Sequence, residues 1–313
     1  MHAVFHRGLV LTGLAVAVGL AASSAGVAAR PGSVPPAGNA PADSSSLAAV
    51  PCNPLWDLLN STGRNGPLAI GLTADQQLIK FAVNRPQWAC AIGVVDLPGI
   101  EDLVGIDYRV QDGNLYGVSG AGGVYTLSTR TAVATKVSQL TIALAGTSFG
   151  VDFNPAADRL RIVSNTGQNL RHNVNVGGVT LADSVLTYPP SVVAAAGVSG
   201  AAYTNNDLSP TTATSLFDVD TSLDQVALQV PANSGQLSAT GALGVAADPR
   251  AGFDIYSALR AGRAVSNSAH AVFNGSGVSR AYRVDLLTGE AQPTGAFDAA
   301  YLVTDLALRL DQP

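Results

Sequence analysis

Beyond residue 67 the chain alternates apolar positions with small or polar ones in short bursts, each closed by Gly, Asn, Asp or Pro. Leu68-Ala69-Ile70-Gly71-Leu72, Leu78-Ile79-Lys80-Phe81-Ala82-Val83 and Ala91-Ile92-Gly93-Val94-Val95 read as three strands, because such runs are too short for stable helices. A longer series then repeats. Gly105-Ile106-Asp107-Tyr108 leads to a turn at Asp112-Gly113-Asn114, then to strands over 115–119 and 123–127. Gly150-Val151-Asp152-Phe153 starts the series again, with Asn154-Pro155 and Asp158 at the turn and 160–164 as the next strand. Gly200-Ala201-Ala202-Tyr203 starts a third copy, continued by 216–220. Gly244-Val245-Ala246-Ala247 starts a fourth, continued by 253–257 and 281–285. The opening glycines stand 45, 50 and 44 residues apart.

About four short strands per repeat at that period predict the blades of an all-β propeller, each blade a four-stranded antiparallel sheet. The ends fit together. The first three strands lack an opening strand, and Thr304-Asp305-Leu306-Ala307-Leu308-Arg309-Leu310 is a strand with no blade after it. Closing the first blade with that last strand satisfies both sheet edges. The count is then five blades, or six if 260–280 holds a further pair of strands. A solenoid or β-sandwich is the rival architecture, and neither accounts for the split first unit as directly.

The N-terminus changes the picture of where the protein resides. Arg7 precedes an apolar run from Gly8 to Leu20, then small residues up to Val27-Ala28-Ala29, as in a secretory signal over 1–29. The charge-free stretch 8–29 is 22 residues, long enough for a membrane anchor, but Ala, Gly and Ser dilute its second half. Residues 30–51 are rich in Pro, Ala and Ser and read as a flexible tether, leaving 52–313 as a single domain. No second long apolar run follows, so the mature chain is expected to have no membrane span. Export, to the periplasm or the exterior, makes a disulfide the economical reading of Cys52 and Cys90, the only cysteines. Closing their loop contributes about 4 kcal/mol in the chain-entropy model. A pair of unlinked buried thiols is the alternative.

Several stretches are distinctive together: Gly150-Val151-Asp152-Phe153-Asn154-Pro155, Asp158-Arg159-Leu160-Arg161-Ile162-Val163-Ser164, Thr166-Gly167-Gln168-Asn169-Leu170-Arg171, Ala202-Tyr203-Thr204-Asn205-Asn206, and Leu216-Phe217-Asp218-Val219-Asp220 with Asp224-Gln225. In that order they closely resemble a bacterial family of exported proteins known as domain of unknown function 4394, over roughly residues 68–310. The resemblance implies a propeller-like all-β fold and export, and it brings no catalytic residues. Ala202 and Ala246 stand where Asp107 and Asp152 stand in their repeats, so a role for that Asp is not expected in every blade.

Composition narrows the chemistry. The chain is 47% hydrophobic and 12% charged, which excludes general disorder, and its two Glu and two Lys exclude a charged helical bundle. A net charge of −5 makes a nucleic-acid partner unexpected. Past the signal only His172 and His270 remain, in different repeats, so a multi-histidine zinc site is not expected. Gly146-Thr147-Ser148-Phe149-Gly150 matches a nucleophile elbow, but that motif needs a strand-to-helix turn and here a β repeat follows. Glu101, Asp107 and Asp152 are the candidate catalytic carboxylates of a propeller glycoside hydrolase, which needs an acid and an ionised partner at the channel mouth. The bland alternative is that the aspartates bond backbone amides and Glu101 is solvated. Asp218, Asp220 and Asp224 are the candidate ligands for calcium, a hard cation that takes several oxygens, against simple turn chemistry. Arg159, Arg161 and Arg171 cluster in one blade and suit an anionic-ligand patch, against a solvated or ion-paired face beside Asp158. So few chemical groups rank a binding or scaffold module for a protein or glycan above the enzyme, and no cofactor other than calcium is indicated.

Overall fold

The structure is a computed structural model and describes residues 50–60, 65–99 and 101–311. The expected signal and all but the end of the expected tether lie outside the described residues. Strands 68–308 form five four-stranded antiparallel sheets arranged as a β-propeller. Blade 1 joins the two ends of the fold: β20 (Val303–Leu308) is innermost, followed outward by β1 (Leu68–Thr73), β2 (Gln77–Ala82) and β3 (Cys90–Val94). Its closing register pairs Gly71 with Leu306 and Ile70 with Ala307. Blade 2 holds β4 (Leu103–Tyr108), β5 (Leu115–Ser119), β6 (Gly123–Leu127) and β7 (Ala134–Gln139). Blade 3 holds β8 (Phe149–Asn154), β9 (Arg159–Ser164), β10 (Asn169–His172) and β11 (Thr180–Ala182). Blade 4 holds β12 (Val198–Tyr203), β13 (Leu216–Asp220), β14 (Gln225–Gln229) and β15 (Leu237–Ala242). Blade 5 holds β16 (Gly252–Arg260), β17 (Arg263–Gly275), β18 (Val278–Val284) and β19 (Ala291–Ala296).

Two details correct the sequence reading. The last repeat opens at Gly252, not at Gly244. Gly244 has φ +72° in a loop, and Pro249 has no N–H to give to a ladder, so 244–250 only leads into the blade. Gly252-Phe253-Asp254-Ile255 is thus the innermost strand rather than the second one. The segment 260–280 holds no further blade: β16 and β17 extend as one long hairpin, with Arg260 paired to Arg263. That hairpin is braced by blade 4, where Ala264 N donates to Asp207 Oδ2 at 2.8 Å and Asn206 N to Ser257 Oγ at 2.9 Å.

Each inner strand packs beside the inner strands of both neighbouring blades, which closes the ring. Small residues make that approach feasible. A Cβ on Gly150 would lie 2.5 Å from Ala201 N, and one on Gly252 would lie 2.8 Å from Leu306 N. Apolar side chains fill each seam between blades. Phe217, Val219, Phe253, Ile255 and Phe273 pack together between blades 4 and 5, and Tyr116, Phe153, Leu160 and Ile162 between blades 2 and 3. Burying each such side chain contributes about 1.5–3 kcal/mol before entropy is counted.

The N-terminal edge is tied down covalently. Cys52 and Cys90 form a disulfide with Cα atoms 4.8 Å apart. On either side of it, Ala91 N donates to Val50 O at 2.7 Å and Cys52 N to Ala91 O at 2.9 Å. The chain at residues 50–52 therefore runs beside β3 and covers the outer edge of blade 1, which would otherwise offer unpaired amides. Helix α1 (Pro54–Asn60) follows, and Trp56 Nε1 donates to Trp88 O at 2.8 Å. Among the described residues no helix is long and apolar enough to cross a membrane.

Candidate functional site

The inner strands bring four aspartates to the axis. On β4, β8 and β16 the order Gly-x-Asp recurs as Gly105-Ile106-Asp107, Gly150-Val151-Asp152 and Gly252-Phe253-Asp254. Period two puts the Asp on the same side of the strand as the Gly, whose lack of a side chain lets the next inner strand come close. Each carboxylate then accepts the backbone N–H of the next inner strand. Phe153 N donates to Asp107 at 2.7 Å, Tyr203 N to Asp152 at 3.1 Å and Leu308 N to Asp254 at 2.6 Å. Asp305 on β20 does the same for blade 2, accepting Ile106 N at 2.8 Å. It sits two residues earlier in register, at the level of the glycines, and Ala307 takes the level of the other aspartates. Four of the five seams are stapled in this way. The fifth, between blades 4 and 5, has Ala202 at the aspartate level.

Oxygens of Asp107, Asp152 and Asp254 lie within 4.8 Å of one another, and all three residues are buried, 2–6% exposed. Two unit charges at that distance repel by about 3.5 kcal/mol at an effective dielectric of 20. Burial is the main cause that pushes the Asp107 carboxyl well above the usual range, with the Asp254 and Asp305 charges adding to it and the Phe153 amide opposing. Asp152 is raised well above that range by burial, then by Asp107, Asp254 and Asp305, with the Tyr203 amide opposing. Burial pushes Asp254 up to about 7 against the amides of Leu308 and Ile255. Asp305 is raised well above the range by burial first. Carboxylates this close are the donor type a hard cation takes, and each of these already serves a backbone amide.

The remaining sequence candidates are placed elsewhere. Glu101 accepts the Ser119 hydroxyl at 2.7 Å, one strand out from the axis, and is absent from the cluster that joins Asp107 and Asp152. Asp218, Asp220 and Asp224 each do something different. Asp220 accepts Ser222 N, Leu223 N and the Tyr188 hydroxyl; Asp224 accepts Ala247 N; Asp218 is buried with no hydrogen-bond partner for either oxygen. Among the described residues, the acidic, His or Cys donors that converge are the axial three. Ser148 of the Gly-x-Ser-x-Gly stretch precedes a strand, and its amide reaches Asn165 Oδ1 at 3.3 Å. His172 bonds Ser138 and Thr180, and His270 bonds Ser268. Of the three arginines, Arg161 and Arg171 share Asp183 inside the fold.

Asp254 and Asp305 were missing from the sequence candidates. The repeat of Gly-x-Asp at Gly252 carries the signal for Asp254 once the blade is opened there. Asp305 had no such signal, because its staple works from the glycine level.

On the face where the inner strands begin, two clefts of about 530 and 210 Å³ adjoin, sharing Thr147, Ser148, Arg250 and Thr304. Asp102, Val104 and Phe149 line one, and Asp248, Asn274 and Leu302 the other. A third cleft of about 610 Å³ opens at the opposite ends of the inner strands of blades 1 and 2, between Tyr108, Gln111, Lys80 and Arg309.

Five small sheets, closed by a C-terminal strand and stapled at the axis, define a five-bladed β-propeller. The chain matches domain of unknown function 4394 over residues 77–307 and belongs to that family. No curated protein matches it. Among solved structures it is similar to a protein of unknown function from Bacteroides thetaiotaomicron VPI-5482, with TM-score 0.42 and 11% identity over 72% of this chain and 54% of that one. It is also similar to a protein from Lactobacillus plantarum, with TM-score 0.35 and 15% identity over 74% and 66%. An auxiliary nutrient binding protein from Bacteroides ovatus ATCC 8483 gives TM-score 0.36 and 10% identity over 69% and 56%. The chain thus spans about half to two thirds of the length of these solved proteins.

Proposed function

We propose that this is an exported propeller that works as a binding module for a glycan, held over the axis on the face where the inner strands begin. The observation that carries the reading is the division of labour among polar groups. Of the carboxylates that a hydrolase would need, Asp107 and Asp152 are buried and serve backbone amides and Glu101 accepts the Ser119 hydroxyl, while the open adjoining clefts share Thr147, Ser148, Thr304 and Arg250. Hydroxyls and a guanidinium, opposed by the carboxylates of Asp102 and Asp248, suit a neutral polyhydroxylated ligand that both gives and takes hydrogen bonds. The Cys52–Cys90 disulfide supports export, since such bonds persist in oxidising compartments.

The test is retention on an immobilised panel of neutral and acidic oligosaccharides. The wild type is expected to bind at least one neutral member without releasing reducing sugar. Arg250→Ala combined with Thr304→Ala is expected to weaken that binding at least tenfold, whereas Lys136→Ala on the outer strand of blade 2 leaves it unchanged. Binding to none of the panel, or equal binding by all three proteins, rejects the reading. Sugar release that Asp152→Asn abolishes would replace it with the hydrolase.

A further inference from the structure

Three carboxylates whose oxygens lie within 4.8 Å, in a buried place, cannot all hold a negative charge unless something neutralises them. The groups facing them offer little neutralisation. β4, β8, β16 and β20 contribute Asp107, Asp152, Asp254 and Asp305, and β12 contributes Ala202. One strand out, Tyr116 pairs with Asp107, Arg161 with Asp152 and His270 with Asp254. Tyr116 carries no charge at neutral pH, and its hydroxyl is turned to Asp112 and Arg109. Arg161 spends its donors on Tyr203, Asn169, Asp183 and Asn233. Burial holds His270 down to about 4, so it is neutral there. Tyr108 and Tyr203, next along the inner strands, are buried phenols raised above their ordinary value. Arg309, just past β20, is exposed and faces Tyr108.

We propose that the propeller axis is a proton lock: the folded ring keeps protons on the cluster of Asp107, Asp152 and Asp254, with Asp305 beside it, and these shared protons let four seams be stapled at one point. Each proton lost places a like charge among the staples, and the carboxylates then strain the very N–H bonds that join neighbouring inner strands. The sign follows from linkage. The unfolded chain releases these protons near the ordinary Asp value of about 4, and the folded ring releases them later, so folding is favoured in acid and loses that advantage as pH rises through the folded values. With Asp254 at about 7, its share alone raises the unfolding equilibrium constant about tenfold between pH 6 and 8. His172 and His270, both lowered by burial, act in the opposite sense. Unfolded His is half protonated near pH 6.5, so each offsets at most about twofold between pH 6.5 and 8, while the losses from Asp107, Asp152 and Asp305 add to that from Asp254.

The experiment is chemical unfolding of the full chain at pH 6.5, 7.25 and 8, with chelator or with calcium, alongside infrared spectra of the folded protein. The wild type is expected to lose stability steadily over this range, with or without calcium, and to show a protonated carboxyl band at pH 6.5. Asp254→Asn, which keeps the shape and removes the charge, is expected to flatten the loss by about fourfold in the unfolding constant between pH 6.5 and 8. Stability that is constant or rises with pH overturns the proposal. So does stability at pH 8 that exceeds that at pH 6.5 and vanishes with chelator, because a cation and not protons would then neutralise the axis. If Asp254→Asn fails to fold, the carboxyl band of the wild type decides alone: its absence at pH 6.5 is fatal.

Discussion

Blade 4 meets its two neighbours in opposite ways. Toward blade 3 the seam is polar and interlocked: Asp152 staples Tyr203, and the Arg161 guanidinium, 3% exposed, reaches Tyr203, Asn169, Asp183 and Asn233. Toward blade 5 the axial staple is missing, and Ala202, Phe217, Val219, Phe253, Ile255 and Phe273 form an apolar block. Polar side-chain contacts with blade 5 gather at one edge of that seam, where Asn205, Asn206 and Asp207 hold its long hairpin. Two chemistries thus solve one packing problem. The polar seam fixes orientation through directional bonds but depends on every partner being present, and the apolar seam tolerates change in proportion to the volume lost.

Breaking the polar seam should therefore cost most. Arg161→Met keeps much of the length and leaves Asp183 buried beside Arg171 alone, while Asn169 and Asn233 lose their donor. Removing one partner of a buried pair costs about 3–5 kcal/mol, and that loss should be read in urea midpoints at unchanged slope. Converting the apolar seam to the stapled kind comes next. Ala202→Asp would add a carboxylate beside Phe217 and Phe253 and a further charge near the axis, and Ile255 N is already taken by Asp254 Oδ1. The expected loss is about 2–3 kcal/mol at pH 8, from an under-bonded polar group in an apolar block. It should shrink at pH 5.5, where the new acid is neutral; a gain in stability would mean that the seam can accept a staple.

How much of this was legible follows from the kind of signal each feature leaves. The blades, the closing strand and the period showed in the sequence because strand alternation and turn residues are local. Asp107 and Asp152 stood out because their repeats align. Asp254 was hidden by Gly244-Val245-Ala246-Ala247, which imitates an inner strand until Pro249 and the loop conformation of Gly244 exclude it. The staples themselves were beyond reach, since each joins residues that lie about fifty or more positions apart, as Asp152 and Tyr203 do. The fate of Glu101, turned to Ser119, depends on a side-chain direction that no spacing encodes. Arg161 read as part of a surface cluster only because Asp183 and Asn233, its partners, come from distant loops.

Smaller changes sharpen the contrast. Phe253→Leu trims the apolar seam without exposing a polar group, so about 1–1.5 kcal/mol should be lost, with no dependence on pH between 6.5 and 8. The polar seam offers a counterpart in Asp218. It lies on β13 opposite Ala201, fully buried, with neither oxygen hydrogen-bonded. Burial pushes its carboxyl well above the usual range, and the Arg161 charge only partly opposes this. A raised folded value means that Asp218 favours folding in acid and opposes it as pH rises. Asp218→Asn removes the titration while keeping the shape, so its effect should be smallest, within about 1 kcal/mol at pH 6.5. At pH 8 the variant should gain on the wild type, since the wild-type carboxyl must there be ionised without a partner or hold its proton against the solvent. Unfolding curves at both pH values check this. A variant that loses stability more at pH 8 than at pH 6.5 would mean that the Asp218 charge is favourable and that Arg161 pairs with it after all.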